Sequence, residues 1–218
     1  MMWREWRKIY SLIERDFGFS REREIEARDK LSGILKDNFV SEEEISALVG
    51  KEVYVVGFSP TLEKDVELIP GNAKIIAADD AASVLYDIGI KPTIVMTDLD
   101  GDVGALLEIK DAVFGIHAHG DNISLLDQVK LFPKKFGTTQ IEPLWNVYNF
   151  GGFTDGDRGV FLAIHFGAIV HLISFDFENP RIKGNKDLER KKKKLLWAKY
   201  LLDELHRRGA KIIWENLK

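Results

Sequence analysis

Short apolar runs that favour β-strands alternate with helical segments through most of this chain. The runs are rich in valine and isoleucine and occupy residues 53–56, 74–78, 94–97, 112–116, 169–174 and 211–214. The more polar segment 138–141 could form another strand. Strands that alternate with helices are joined by right-handed crossovers, so they form a mostly parallel sheet with helices on both faces. The alternation therefore predicts a Rossmann-like α/β domain over residues 51–218.

The first 50 residues lack such runs and are predicted to be helical. Ser20 is placed to cap a second helix, and Ser41 with Glu44 forms a capping box for a third. We expect residues 1–50 to form a small helical cap that packs on the α/β domain. The first helix has an apolar stripe at three- and four-residue steps, formed by Trp3, Trp6, Tyr10, Ile13 and Phe17.

The composition restricts the class of protein further. With 218 residues, 45% of them hydrophobic, and no cysteine, the chain can bury a core but can form neither a disulfide nor a thiolate metal site. It contains no apolar run long enough to cross a membrane and no signal-peptide pattern. We therefore expect a cytoplasmic protein that binds neither nucleic acid nor membranes, and the sequence leaves open whether it is a monomer or a homodimer.

The segment 94–102 ends an apolar strand with aspartates on alternate positions, among them Asp98 and Asp100. In an open α/β sheet, ligands bind beyond the carboxyl ends of the strands, so these two side chains should project into a cleft. Carboxylates this close repel each other unless one takes up a proton or a cation lies between them. Mg²⁺ fits best, because it uses one or two carboxylates together with substrate phosphates. The alternative is a strand followed by an acidic, solvated turn.

Polar side chains also follow the other predicted strands, where a loop or a helix begins. In a parallel sheet these strand ends face the same edge, and the convergence of acids and histidines there suggests metal-assisted handling of phosphates. The residues concerned are Gly57, Ser59, Thr61, Asp79, Asp80, Asp98, Asp100, His117, His119, Asp121, Asn122, Thr154, Asp155, Asp157, Arg158 and Asp176.

Several of these residues have a simpler interpretation. His117 and His119 share one face of a strand and could bind zinc, transfer protons, contact phosphate or only support the strand end. Asp155 and Asp157 precede a helix, where acids pair with free N–H groups. The lysine run at 191–194 is predicted to be solvated surface, with phosphate binding as the alternative.

Taken in order, five segments resemble motifs of the archaeal 6-hydroxymethyl-7,8-dihydropterin diphosphokinases, which are distant relatives of the thiamine pyrophosphokinases. The segments are 57–62, 77–81, 97–101, 117–122 and 152–158, and the match continues to Asp176. The resemblance implies that the protein uses Mg²⁺ and transfers a diphosphate from ATP to the hydroxymethyl group of a reduced pterin, releasing AMP.

The resemblance also implies roles for single residues. Asp98 and Asp100 match the paired metal-binding acids of the thiamine relatives, and Asp79 matches an acid in one of their turns. Either Asp155 or Asp176 would hold the pterin ring. The implied Mg²⁺ ligands are Asp79, Asp98, Asp100 and Asp121, and the implied catalytic residues are Asp98, Asp100, Asp121 and His119. The implied substrate-binding residues are Gly57, Ser59, Thr61, Asp79, His117, Asn122, Thr154, Asp155, Asp157, Arg158 and Asp176.

Three alternative functions remain at this point. Residues 117–122 carry two histidines where the thiamine relatives carry acids and a lysine, which favours the pterin branch over a thiamine-type pyrophosphokinase. The sequence Asp98-Leu99-Asp100-Gly101 fits the first motif of haloacid-dehalogenase-type phosphatases, but Asp102 follows where that motif usually has Thr or Val. A nucleotide-binding module without catalytic activity is the third alternative.

Overall fold

The computed structural model describes residues 3–181 and 187–215. Within them, eight parallel strands form one sheet in the order β6-β5-β4-β3-β2-β1-β7-β8, which confirms the predicted α/β fold. The strands are β1 Glu52–Val56, β2 Ile75–Ala78, β3 Ile94–Thr97, β4 Val113–His117, β5 Lys135–Thr138, β6 Val147–Tyr148, β7 Ile169–Ile173 and β8 Ile212–Trp214.

Helices cover both faces of the sheet, as expected for parallel strands joined by crossovers. The side chains of α1, α3, α7 and α8 pack in the core on one face. Those of α2, α4, α5 and α6 pack in the core on the other. The helices are α1 Trp3–Phe17, α2 Arg21–Leu35, α3 Glu42–Val49, α4 Leu62–Asp65, α5 Asp79–Asp87, α6 Val103–Glu108, α7 Asp155–His165 and α8 Leu188–Arg207. Among the described residues, none of these helices has both the length and the apolar character needed to cross a membrane.

The three N-terminal helices form as predicted. Ser20 accepts a hydrogen bond from the Arg23 backbone N–H at the start of α2, and Ser41 with Glu44 forms the capping box of α3. The helices also share their cores with the sheet. Trp6 of α1, for example, donates from Nε1 to the Gln140 carbonyl at 2.8 Å. The division of the chain at residue 50 into a cap and a catalytic domain stays a prediction.

Parallel register aligns the strand ends that carry the polar residues. Thr97 of β3 pairs with Ile116 of β4, and His117 of β4 pairs with Thr138 of β5. The residues that follow these strands therefore lie at one edge of the sheet, as parallel strands require.

Local predictions were wrong at several points between the strands. The sequence predicts Ser59 as the N-cap of a helix that runs to about Ile69, but the helix begins at Leu62. The Ser59 hydroxyl lies 2.6 Å from the Ser174 hydroxyl and accepts from the Thr61 backbone N–H at 3.2 Å, so it stabilises the turn before the helix. The sequence also predicts a helix at about residues 124–131, and Leu126–Leu131 form a 3-10 helix there. Strand β5 lies three residues earlier than predicted, and the sequence patterns missed both β6 and α6.

Candidate active site

The carboxyl ends of the strands open onto a cavity of about 320 Å³. Residues that follow β1 to β5 and β7 line it, together with the start of α7. The loop between α1 and α2 and the first turns of α8 complete its wall. The cavity thus lies at the edge of the sheet where the polar residues were predicted to meet.

Three aspartates from different elements converge in this cavity. Asp79 is the first residue of α5, Asp98 follows β3, and Asp155 is the first residue of α7. Each contributes a carboxylate oxygen, and these oxygens lie within 4.8 Å of one another. Within residues 3–181 and 187–215, they are the one group of three or more acidic, histidine or cysteine side chains with ligand atoms this close. We call Asp79, Asp98 and Asp155 the acid cluster.

The cluster concentrates negative charge away from solvent. Burial, followed by the charges of Asp98 and Asp80, raises the pKa of Asp79 to about 7. Burial and the charge of Asp98 raise the pKa of Asp155 well above its usual range. Burial alone would also raise the pKa of Asp98, but the hydrogen bond and charge of His119 outweigh it and hold this pKa well below its usual range. Neighbouring carboxylates of this kind are stabilised by protons or by a bound cation.

The acid cluster fits a divalent cation such as Mg²⁺. Asp79 Oδ2 is buried and has no hydrogen-bond partner among the described residues. Buried polar atoms are normally paired, so this oxygen is free to bind a ligand. Gly101 lets the loop after β3 approach it, because a Cβ at this position would lie 2.8 Å from Asp79 Oδ2. The cluster contains oxygen ligands only, which suits a hard ion better than zinc.

The other two predicted metal ligands lie outside this cluster. Asp100 is exposed and lines the cavity, and its backbone N–H donates to Asp98 Oδ1 at 3.1 Å. The turn between them places Leu99 at φ +66°, a conformation that costs energy for a residue other than glycine. Asp121 is also exposed, and one of its oxygens lies 3.4 Å from Arg190 Nη2. The assignment of Mg²⁺ binding to these two residues stays a prediction.

The two histidines differ in the atoms they present. His119 Nε2 lies 3.5 Å from Asp98 Oδ2, and its Nδ1 accepts from the Asp121 backbone N–H at 3.3 Å. This arrangement leaves the Nε2 proton facing Asp98, so His119 orients that carboxylate. His117 is buried, and its Nε2 has no described partner. Burial, and then the charge of Arg158, lowers the pKa of His117 well below its usual value, so the ring is neutral.

Several predicted binding residues hold the loops around the cavity. The Asn122 side-chain amide donates to the carbonyls of Asp98 and His117 at 2.6 and 2.7 Å, which joins the loops after β3 and β4. Asp157 caps α7 by accepting from the backbone N–H groups of Phe153 and Thr154 and from the Thr154 hydroxyl.

The residues after β1 and β7 meet at the other end of the cavity. Gly57 and Asp176 line it, whereas Ser59 and Thr61 lie outside the lining. A Cβ on Gly57 would lie 2.7 Å from the Ser174 carbonyl oxygen, so glycine is needed for this close approach. The Asp176 carboxylate accepts from two backbone N–H groups of its own loop.

Some lining residues were not among the predicted site residues. Lys191 and Lys194 of α8 face the cavity, whereas Lys192 pairs with Glu189 and Lys193 pairs with Asp16. The lysine run is therefore only partly solvated surface. The cavity is also lined by Phe19 and Gln140, for which no sequence motif gave a signal, and by Phe153, which lies in the motif segment 152–158 but had no predicted role.

A parallel sheet with clustered acids at its carboxyl edge and lysines across the cavity is the arrangement of a phosphate-transferring α/β enzyme. Sequence comparison identifies the family within that class. Residues 29–180 match the model of the family described as 6-hydroxymethylpterin diphosphokinase MptE-like, and the chain belongs to this family.

Full-length relatives carry names that agree with this family. A 6-hydroxymethyl-7,8-dihydropterin pyrophosphokinase of Pyrococcus furiosus is 44% identical, over 98% of this chain and 98% of its own. Proteins of the same name from Methanocaldococcus jannaschii and Methanothermobacter thermautotrophicus are 36% and 33% identical. They match 93% and 94% of this chain, and in both cases 95% of their own.

A solved structure, the MAf glycosyltransferase from Magnetospirillum magneticum AMB-1, is also similar in part. It has a TM-score of 0.45 and 16% sequence identity, and the match covers 74% of this chain and 29% of that one.

Proposed function

We propose that this protein transfers the terminal diphosphate of ATP to the hydroxyl group of 6-hydroxymethyl-7,8-dihydropterin. The hydroxyl oxygen forms a bond to the β-phosphorus, and the bond from that phosphorus to the oxygen bridging the α-phosphorus breaks. AMP leaves with the bridging oxygen, and the hydroxyl proton is released. The names of the relatives support the acceptor. The observation that carries the phosphate chemistry is the acid cluster facing lysines within one cavity.

The acid cluster would hold the divalent cation. When bound, this ion neutralises phosphate charge and so lowers the repulsion between the nucleotide and the acids. His119 keeps Asp98 ionised and oriented, because the two side chains are paired at 3.5 Å. Asn122 fixes the backbone on both sides of this pair. These contacts hold the carboxylates in place before substrates bind, which is how preorganised charge contributes to catalysis.

The basic side chains of α8 supply the opposite charge. Lys191 and Lys194 line the cavity, and the charge of Lys194 contributes to the low pKa of Asp98. A triphosphate between the acid cluster and these lysines would be neutralised from both sides. Because phosphoryl transfer needs mainly positioning and charge neutralisation, this arrangement fits the reaction better than it fits passive binding.

The test is to incubate the purified chain with ATP, Mg²⁺ and a panel of acceptors that includes the reduced pterin and thiamine. We expect AMP and the pterin diphosphate in equal amounts. ADP or inorganic phosphate as the product would contradict the proposal, and the latter would support the phosphatase alternative. Thiamine diphosphate as the main product would show that the protein is a thiamine-type pyrophosphokinase instead.

The matched variants are Asp98→Asn and Asp87→Asn. We expect Asp98→Asn to lower turnover by at least about 10²-fold, as for other major electrostatic contacts, while the fold is retained. Asp87 is exposed at the end of α5, away from the cavity, so its variant should keep wild-type turnover. Near-wild-type activity of Asp98→Asn would contradict a role of the acid cluster in catalysis.

A further inference from the structure

Buried polar atoms without a partner gather on one side of the cavity. His117, Gln140 and Arg158 are only 2%, 3% and 3% exposed, and all three line the cavity. Among the described residues, none bonds to His117 Nε2, Gln140 Oε1 or Arg158 Nε. Leaving a buried polar group unpaired costs about 1–3 kcal/mol, so three such atoms around one cavity indicate a ligand that pairs with them.

The neighbouring hydrogen bonds define what each atom offers. The Thr138 hydroxyl donates to the Ile116 carbonyl at 3.3 Å, so it accepts from His117 Nδ1–H at 3.1 Å. His117 Nε2 therefore presents a lone pair. Gln140 Nε2 donates to the Tyr10 hydroxyl at 3.2 Å, which leaves the amide oxygen as an acceptor. This side of the cavity thus offers two acceptors and one donor, the Arg158 Nε–H.

The sheet order places these atoms at different distances from the acid cluster. Asp98 follows β3, His117 ends β4, and Gln140 lies beyond β5. Adjacent strands lie about 4.8 Å apart, so β3 and β5 are separated by roughly 10 Å. A two-ring heterocycle with a one-carbon substituent spans about this separation. Phe19 and Phe153 line the same cavity with ring centroids 6.3 Å apart, and they provide apolar surface for such a ring.

We propose that the pterin binds over the carboxyl ends of β4 and β5 and that Gln140 determines specificity for its 2-amino group. This inference rests on the proposed function. The hydroxymethyl group lies at the Asp98 end, beside the acid cluster, and the 2-amino group donates to Gln140 Oε1 beyond β5. His117 Nε2, at the end of β4 between these two points, accepts from a ring N–H. Arg158 Nε–H donates to an acceptor atom of the ring. The nucleotide then occupies the remaining side, lined by residues after β1 and β7.

The test uses two ligands that differ at one group. 6-Hydroxymethyl-7,8-dihydropterin carries the 2-amino donor, and 6-hydroxymethyl-7,8-dihydrolumazine carries an oxygen acceptor at the same position. Their affinities are measured by calorimetry in the presence of Mg²⁺ and α,β-methylene-ATP, with wild type, Gln140→Leu and Gln140→Glu. Glutamate keeps an acceptor at this site, and the Tyr10 hydroxyl can donate to it.

We expect wild type to bind the pterin about 10- to 100-fold more tightly than the lumazine, the range that follows from one unpaired buried group. Gln140→Leu should weaken pterin binding by a similar factor and lose the preference, whereas Gln140→Glu should keep it. The affinity for α,β-methylene-ATP, measured alone, should stay within about twofold in every variant, since the amide lies on the other side of the acid cluster.

The possible failures are distinguishable. Wild type that binds neither heterocycle and forms no pterin diphosphate would contradict the proposed function itself. Wild type that makes the product but prefers the pterin less than threefold would overturn only this inference, whatever the variants do. Equal losses of pterin and nucleotide affinity in Gln140→Leu would also overturn it, because they indicate a structural role. If circular dichroism shows that Gln140→Leu is unfolded, Gln140→Met replaces it.

Discussion

Replacing Asp79 by asparagine should stabilise the protein in the absence of metal, although it should abolish cation binding. Asp79 is 6% exposed and lies in the acid cluster, where Asp98 and Asp155 contribute further negative charge. Asparagine has nearly the same shape and removes one charge. Its amide can donate to the neighbouring carboxylates, and its oxygen can keep the hydrogen bond to Thr97. Residues placed for function in this way often lower stability.

The size of the effect follows from the pKa of Asp79, which is about 7 in the folded protein against an ordinary value of 3.8. At about 1.4 kcal/mol per pH unit, this difference corresponds to about 4 kcal/mol once the group is ionised in both states. Relaxation and water entry make this an upper value. The folded state holds the proton more tightly, so the free energy of unfolding of wild type falls as the pH rises from 3.8 to about 7. Above that range it levels off.

The assay is urea unfolding in chelator at a series of pH values. The stability difference in favour of Asp79→Asn should be small near pH 4 and grow to between about 2 and 4 kcal/mol at pH 8. Asp87→Asn, at the exposed end of the same helix, should show no such pH-dependent gain. With Mg²⁺ at about 100 times its dissociation constant, wild type alone should gain about 2.7 kcal/mol. A variant less stable than wild type at pH 8 in chelator would refute the reasoning.

Two further predictions test the walls of the cavity. Lys194→Met should weaken binding of α,β-methylene-ATP at least about tenfold, because a charged contact to phosphate is lost. The control is Lys192→Met, which should leave this affinity unchanged because Lys192 pairs with Glu189. Equal losses of affinity in the two variants would contradict the phosphate role of Lys194. Gly57→Ala should lower stability by about 1–3 kcal/mol in a thermal or urea melt, because its Cβ would lie 2.7 Å from the Ser174 carbonyl oxygen. Gly71→Ala, with no heavy atom within 4 Å of the new Cβ, is its control, and equal stability of the two variants would contradict the steric argument.

The sequence alone determined the elements and the edge of the sheet where they end. Apolar runs of strand length alternate with amphipathic segments, and this local pattern requires parallel strands with their carboxyl ends together. Asp98 and Asp79 could be placed at that edge because each directly follows a predicted strand. The motif resemblance added the pterin acceptor, which the names of the relatives support. Segments whose structure depends on distant partners, such as the one beginning at Ser59, were predicted less well.

Only the tertiary structure decided which residues come together. Asp155 joins Asp79 and Asp98, although it lies far from both in sequence, whereas Asp121 turns toward Arg190. Gln140 lies beyond β5 with no motif around it, yet it is buried against α1 and faces the cavity. The reason is physical: side-chain periodicity is a local property of the chain. Distances between remote residues depend on strand order and on the paths of the loops, which no short pattern encodes.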